Sequence, residues 1–197
     1  GGDTGGGGDT GGGGGDGGGG NGGSTGFGDP DSFWASITVS GASGTNGDDV
    51  LKVTDTLGGE LAAGHGRDTL YGGAGNDTLF GGEGISDPTD IVDIIMGGPG
   101  SDMMYGNAGN DTIYGGYATA TFKDTADTIY GGFGSDSIYG NLGNDSIIGG
   151  GAVADPNESA DHLFGGYGND TILGNGGNDT ISGGPGNDTI YGGFGGD

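Results

Sequence analysis

Residues 165–173 read GGYGNDTIL, and the same nine-residue pattern returns as GGAGNDTLF from 72, GGFGSDSIY from 131 and GGPGNDTIY from 183. Alignment on these segments divides residues 63–191 into twelve nonapeptide units, three of them lengthened by an insertion. The first position of the unit is Gly in eleven copies and the fourth is Gly in ten. A repeat this short predicts a solenoid, in which each unit supplies one small element and stacks on its neighbours.

Two positions of the unit keep one type of side chain throughout. Position eight is aliphatic in all twelve units: Leu70, Leu79, Ile95, Met104, Ile113, Ile129, Ile138, Ile147, Leu163, Ile172, Ile181 and Ile190. Position six is Asp in all twelve: Asp68, Asp77, Asp93, Asp102, Asp111, Asp127, Asp136, Asp145, Asp161, Asp170, Asp179 and Asp188. An earlier copy, GTNGDDVLK at 44–52, keeps Asp49 and Leu51, and a last copy from 192 reaches its acidic position at Asp197.

The composition excludes several classes of protein. Of 197 residues 60 are Gly, and only 29% are hydrophobic, against ~45–50% in ordinary globular domains. Glycine this dense disfavours helical bundles and α/β enzymes. With 3 Lys and Arg against 28 Asp and Glu, the net charge is −25, so nucleic acid is excluded as a partner. The absence of Cys excludes disulfides and thiolate metal sites, and no apolar run is long enough to span a membrane.

The unit GGxGxDxUx resembles the repeat of the RTX (repeats-in-toxin) family, and the resemblance covers residues 44–197. It implies an all-β fold, a right-handed parallel β-roll or β-solenoid in which two units complete one coil and units i and i+2 stack. It also implies Ca²⁺ between stacked turns, held by position-six aspartates and by backbone carbonyls of the glycine loops. The predicted metal ligands are therefore the twelve aspartates, Asp49 and Asp197, together with the first-position glycines Gly72, Gly81, Gly97, Gly106, Gly131, Gly140, Gly165, Gly174 and Gly183.

Elementary chemistry agrees with that implication. Ca²⁺ prefers carboxylate and carbonyl oxygens, and roughly ten ions would cancel most of the negative charge. Aspartates stacked at the ~4.8 Å spacing of strands repel one another unless a cation lies between them. One aliphatic residue per unit makes a thin core, so we predict that the chain is unfolded without calcium and rigid with it. The competing interpretation is that these aspartates only mark turns on a solvated face.

A second period of 34 residues overlies the first. Three units carry eight residues where one normally lies, at 85–92 (ISDPTDIV), 119–126 (TATFKDTA) and 153–160 (VADPNESA). With two units per coil, successive insertions should lie on alternating sides of the roll. The sixth residue of each insertion is acidic: Asp90, Asp124 and Glu158. Two interpretations remain open, an additional calcium ligand or a polar surface loop.

Position nine is often aromatic and should face outward, as at Tyr71, Phe80, Tyr105, Tyr114, Tyr130, Tyr139, Phe164 and Tyr191. Stacked rings on adjacent strands support one another by ~0.2–1 kcal/mol per pair. The alternative is a contact surface for another protein or a glycan.

Three segments are expected along the chain. Residues 1–26 form a Gly-rich tail, 27–43 contain a capping or pairing strand, and 44–197 form the calcium-binding β-roll. Within the second segment, FWASITVS at 33–40 alternates as a strand does. An open strand edge at Asp197 would favour self-association, head-to-tail or tail-into-neighbour.

The predicted function is not enzymatic, because no HExxH motif occurs and each carboxylate is better used as a metal ligand. One hypothesis is a secreted structural protein that assembles into a cell-surface or extracellular filament or layer. The alternative is the folding and secretion module of a larger enzyme, toxin or adhesin exported by type I secretion.

Overall fold

The structure is a computed structural model that describes residues 36–38, 41–54, 56–82, 91–117, 124–151 and 159–197. The Gly-rich tail at 1–26 and the insertion acids Asp90 and Glu158 lie outside the described residues. All described residues belong to one compact unit, Asp31–Asp197.

The described residues form sixteen short strands in two parallel sheets of eight strands each. The first sheet contains, in this order, β1 (Ser36–Thr38), β3 (Val50–Lys52), β5 (Thr69–Tyr71), β7 (Ile94–Met96), β9 (Thr112–Tyr114), β11 (Ser137–Leu142), β13 (His162–Tyr167) and β15 (Thr180–Ser182). The second contains β2 (Ala42–Ser43), β4 (Glu60–Ala62), β6 (Thr78–Phe80), β8 (Met103–Ala108), β10 (Thr128–Phe133), β12 (Ser146–Gly150), β14 (Thr171–Gly176) and β16 (Thr189–Phe194).

Odd strands pair only with odd strands and even with even, so consecutive units alternate between the sheets. The register keeps equivalent positions together: Ile129 of β10 lies between Met104 of β8 and Ile147 of β12. The predicted β-roll with stacking of units i and i+2 is thereby confirmed. In the part of the chain that is described, no helix is long and apolar enough to cross a membrane.

The core is a double row of position-eight side chains between the sheets. The fully buried members are Leu51, Leu61, Leu70, Leu79, Ile95, Met104, Ile113, Ile129, Ile138, Ile147, Leu163 and Ile172. Ile181 is only partly buried against them, and Ile190 is 46% exposed. Ile190 remains in register with Ile172 and is more exposed because β16 is the outermost strand of its sheet, with a neighbour on one side only.

One further unit occupies the segment between the early copy at 44–52 and the first regular unit. Its strand, β4, places Leu61 in the core with no exposed surface. Gly59 stands where the other units have Asp, and its N–H donates to Asp77 Oδ1 at 2.6 Å. The sequence signal for this unit was Leu61, nine residues before Leu70.

Two strands precede the repeats. β1 falls inside the predicted strand at 33–40 and pairs in parallel with β3, while β2 pairs with β4. The repeats thus have one further strand beside them in each sheet.

Aromatic rings at position nine stack along both sheets. Phe80, Tyr105 and Tyr130 follow one another with centroids 4.9 Å apart. On the other sheet Tyr114, Tyr139 and Phe164 repeat the arrangement at 5.1 Å. The predicted ring ladders are present, and each pair adds local support to the strand pairing.

Candidate metal centres

The position-six aspartates form two continuous ladders, one on each side of the roll. In each ladder, the backbone N–H of one Asp donates to Oδ1 of the Asp in the next coil, at 2.7–3.1 Å. The first ladder contains Asp49, Asp68, Asp93, Asp111, Asp136, Asp161, Asp179 and Asp197. The second contains Asp77, Asp102, Asp127, Asp145, Asp170 and Asp188.

The three lengthened units are divided between the two ladders. The units lengthened by an insertion have Asp93, Asp127 and Asp161 at position six, directly after the insertion. Asp93 and Asp161 belong to the first ladder and Asp127 to the second, so successive insertions do alternate between the sides.

The second carboxylate oxygen distinguishes a metal ligand from a turn marker. Oδ1 is occupied by a backbone N–H, a role that the amide oxygen of Asn would fill equally well. Oδ2, in contrast, is buried and accepts no hydrogen bond at Asp102, Asp127, Asp136, Asp145, Asp170 and Asp179. These side chains are at most 4% exposed. An ionised oxygen buried without a donor is strongly unfavourable, unless a cation binds to it.

Burial raises the pKa of these carboxyl groups far above their usual range. The pKa of Asp127 is raised to about 9 and that of Asp136 to about 8, and in both the main cause is loss of hydration. Loss of hydration likewise raises the pKa of Asp102 and of Asp145 to about 7. The N–H from the neighbouring coil lowers each pKa, and the neighbouring carboxylates of the ladder raise it. Near neutral pH the site therefore needs a bound proton or a bound metal ion.

The first-position glycines lie directly beneath these oxygens. A Cβ on Gly97 would collide with Asp102 Oδ2 of its own turn and with the carbonyl oxygen of Gly115 in the next coil. Each of the nine predicted glycines stands in this relation to the aspartate of its own turn. Gly115 and Gly149, which start two of the lengthened units, have the same relation to Asp127 and Asp161, and the prediction had omitted them. A carboxylate oxygen and a carbonyl oxygen thus face a space that only glycine leaves open.

The second-position residues bend the turn through left-handed backbone. Gly98, Gly132 and Gly166 have φ between 109° and 114°. At the equivalent place in three other units stand Asn107, Asn141 and Asn175, with φ of 76°, 74° and 70°. Asn tolerates this region better than other side chains do.

These three asparagines have a role that the sequence reading missed. Asn141 Nδ2 donates to the carbonyl of Gly116 at 2.8 Å, Asn107 Nδ2 to Gly82 at 2.8 Å, and Asn175 Nδ2 to Gly150 at 3.0 Å. Each accepting glycine is the second residue of a lengthened unit. Asn therefore ties each insertion turn to the coil after it, and the 34-residue spacing of Asn was the signal.

The donor set fits calcium. The oxygens nearest to the ladder spaces named above belong to carboxylates and backbone carbonyls, and hard cations such as Ca²⁺ prefer such ligands. Within the described ranges, no group of three or more His, Cys, Asp or Glu side chains has the geometry of a metal cage. Each ordinary turn supplies one ladder aspartate, so carbonyl oxygens would have to complete the coordination there. All fourteen predicted aspartates join the ladders, although Asp188 is only half-buried and Asp197 is exposed.

The repeats that build these ladders match a known protein family. The family model for the RTX calcium-binding nonapeptide repeat matches four times, at residues 60–86, 89–116, 123–152 and 157–197, which together cover more than half of the chain. The chain therefore belongs to the family of RTX calcium-binding nonapeptide repeat proteins. No curated protein and no solved structure gives a significant match.

Proposed function

We propose that this chain is an extracellular structural element that folds into its β-roll by binding a row of calcium ions. The observation that carries the proposal is the buried Oδ2 atom that accepts no hydrogen bond, on four successive rungs of the second ladder (Asp102, Asp127, Asp145 and Asp170) and at Asp136 and Asp179 in the first. The ladder aspartates and the first-position glycine carbonyls would hold the ions. Bound calcium would supply positive charge where the protein has none and would join consecutive coils.

Charge balance supports this assignment. Twelve buried aspartates lie along the roll, and the whole sequence offers 3 Lys and Arg. Salt bridges cannot compensate a ladder of this length. An ionised carboxylate in a dry site is stable only when it is paired or coordinates a metal. Folding of the chain and binding of metal are then one coupled reaction.

Location outside the cell is part of the proposal, and the calcium affinity typical of extracellular modules supports it. Extracellular calcium modules bind with dissociation constants of about 10⁻⁴–10⁻³ M, far weaker than cytosolic calcium buffers. A chain that folds only at those concentrations would stay unfolded until export. The function proposed here includes no catalytic step.

Assembly into a filament or layer is the finer part of the proposal. β15 and β16 are the outermost strands of their sheets, and β16 exposes Tyr191 at 60% and Phe194 at 66%. Such an edge pairs readily with another strand. A second copy of the chain would give a filament, whereas further repeats of a longer chain would make this a module of an exported protein. Electron microscopy in millimolar calcium distinguishes them, since filaments or sheets support assembly and isolated short rods support the module.

Circular dichroism of the purified chain tests the calcium-dependent fold directly. We expect a disordered spectrum in EGTA and a β spectrum once calcium is in excess, with the change reversed by chelator. A strong β signal that persists in EGTA at pH 8 would refute the proposal.

A conservative substitution separates metal binding from hydrogen bonding. Asp136→Asn keeps the acceptor for the N–H of Asp111 but removes the charge. We expect fewer calcium ions per chain and a higher calcium midpoint. Asp48→Asn is the matched control, because Asp48 is exposed and also accepts a backbone N–H, from Arg67 at 3.1 Å. Equal behaviour of the two variants would mean that the ladder aspartates serve only as hydrogen-bond acceptors.

A further inference from the structure

The turn that contains the second insertion has a carboxylate that the ordinary turns lack. Asp124 comes three residues before Asp127, the ladder aspartate of the same turn. Its Oδ1 accepts the N–H of Thr125 at 3.0 Å, and its Oδ2 is buried without a hydrogen-bond partner. The carboxylate lies so close to Gly116 that a Cβ at that position would overlap it.

The residues around Asp124 are in register with the ordinary turns. Thr125 Oγ1 lies 2.7 Å from Ser101 Oγ in the preceding coil. In the following coil, a Cβ on Gly143 would meet the carbonyl of Thr125. Gly143 is the fourth residue of its unit, so Thr125 takes the fourth place of the lengthened turn and Asp124 the third. The chain is thus on the regular path again at Asp124, with an acid at the third place of the turn.

Two buried carboxylate oxygens that accept no hydrogen bond lie at this turn. Asp127 is 1% exposed, and its Oδ2, which accepts no hydrogen bond, lies against Gly115. The equivalent oxygen of Asp124 lies against the next residue, Gly116. Gly116 also lacks the left-handed backbone that Gly98 and Gly132 have at this place, so the lengthened turn has a shape of its own.

The electrostatics show that Asp124 shares the field of the ladder. Its carboxylate contributes to the raised pKa of Asp102, Asp127 and Asp145, which occupy three successive coils. Its own pKa is raised to about 6, chiefly by loss of hydration, although the N–H groups of Thr125 and Gly100 lower it. A solvated surface acid would influence the buried ladder much less.

We propose that the lengthened turn forms a second class of calcium site, in which Asp124 is a ligand in addition to Asp127, the ladder aspartate of the same turn. The inference rests on the proposed function, because it assumes that the ladder itself binds calcium. More carboxylates at a site raise its affinity for calcium. This site is therefore among the first to fill, and it starts the folding of the coils on either side.

The sequence extends the inference to the other two insertions. Asp90 and Glu158 stand three residues before the ladder aspartates Asp93 and Asp161, as Asp124 stands before Asp127. Sites of this class would then recur every 34 residues on alternating sides of the roll. Calcium binding would spread from three starting points rather than from one end, as the nearest-neighbour behaviour of repeat proteins allows.

The experiment counts and ranks the ions bound by the full chain, using calcium alone as the probe. Equilibrium dialysis and calorimetric titration are compared for wild type, Asp124→Asn and the exposed control Asp48→Asn. Asp124→Asn keeps the acceptor for Thr125 N–H, so a purely structural role predicts no change. We expect it to bind one ion fewer per chain, with the loss in the tightest class, whereas the control matches wild type.

A second pair of variants covers the case that Asp124→Asn does not fold. Asp124→Glu introduces the side chain that the third insertion carries, and Asp124→Gln has the same size without the charge. Retained binding in the Glu variant and a lost ion in the Gln variant support the proposal. Wild-type binding in either amide variant overturns it, while the calcium-dependent folding of the wild type would stand. Failure of the wild type to bind calcium would instead refute the proposed function.

Discussion

At the scale of the residue, glycine in this protein serves two separate purposes. At Gly98 and Gly132 the backbone is left-handed, with φ of 109° and 114°, and this conformation favours glycine. Gly97 does not have left-handed φ, and yet no side chain fits there because the carboxylate of Asp102 lies in the place of its Cβ. The first glycine of the unit is therefore part of the metal site rather than of the turn.

This distinction predicts the effect of a single methyl group. Gly97→Ala places a Cβ against Asp102 Oδ2 and the Gly115 carbonyl, and the crowding should lower the free energy of unfolding by about 1–3 kcal/mol. We also expect weaker calcium binding, because the displaced oxygens are the expected ligands. Calcium-saturated thermal denaturation and a calcium titration measure both effects.

Gly47→Ala is the control for that substitution. No atom lies within 4 Å of a Cβ built on Gly47, and its φ is not left-handed. Its effect should stay within about 0.5 kcal/mol. If Gly97→Ala were as stable and bound calcium as well as this control, the oxygens above Gly97 would not form a site.

At the scale of the element, the lengthened turns depend on the coil that follows them. Gly116 is buried, and its carbonyl receives the side-chain amide of Asn141 at 2.8 Å. A buried carbonyl that loses its hydrogen-bond donor is left unsatisfied, at a loss of about 1–3 kcal/mol. Asn also has to adopt a φ of 74° to reach it.

Two substitutions at Asn141 separate the hydrogen bond from the backbone requirement. Asn141→Gly keeps the left-handed φ but removes the amide, so we expect a loss of about 1–3 kcal/mol in calcium-saturated unfolding. Asn141→Ala should be less stable by a further 1–2 kcal/mol or so, because Ala disfavours that backbone. Urea denaturation followed by circular dichroism gives the order.

Asn144→Ala is the matched control, since it removes an exposed hydrogen bond to the N–H of Asn169 that water can replace. A loss at Asn141→Gly no larger than that of Asn144→Ala would contradict the role assigned to Asn141. Equal stability of the Gly and Ala variants would contradict the part assigned to backbone strain.

Most of the fold could be predicted from the sequence because each unit repeats the same requirements. Invariance of Asp136 or Ile138 across twelve copies identifies a ladder and a core position, and a period of nine with two units per coil defines the pairing. The unit around Leu61 escaped because Gly59 stands in place of its Asp. The function of Asn141 escaped because it depends on a carbonyl 25 residues away. Burial of Asp124 Oδ2 depends on how the insertion returns to the roll, which residue types alone do not specify.

At the scale of the whole molecule, the charge of −25 sets the conditions for folding. The 3 Lys and Arg side chains are too few to neutralise the two ladders of aspartates. The thin core of one apolar side chain per unit cannot offset their repulsion. Neutralisation has to come from the solvent, and the solvent offers metal ions and protons.

Protons should therefore replace calcium in part. The pKa values of Asp102, Asp127 and Asp136 in the folded chain are raised to about 7, 9 and 8, from 3.8 in an unfolded chain. At a pH between the unfolded and the folded pKa values, the calcium-free roll binds more protons than the unfolded chain does. The stability of the roll therefore falls as the pH rises. The stability that the calcium-free roll gains from these bound protons is complete below about pH 4 and is lost between about pH 7 and pH 9. We expect more β structure at pH 5 than at pH 8 in calcium-free buffer.

Circular dichroism in calcium-depleted buffer checks this expectation, and pH 5 lies above the isoelectric point of about 4.1, which limits precipitation. In a parallel calcium titration, the midpoint should move to lower calcium concentration from pH 5 to pH 8, because protons no longer compete for Oδ2. Asp136→Asn has one titrating carboxyl fewer and should show a weaker dependence in both measurements. Tighter calcium binding at pH 5 than at pH 8, or a calcium-free spectrum that does not change with pH, would show that the ladder oxygens are not the groups that calcium neutralises.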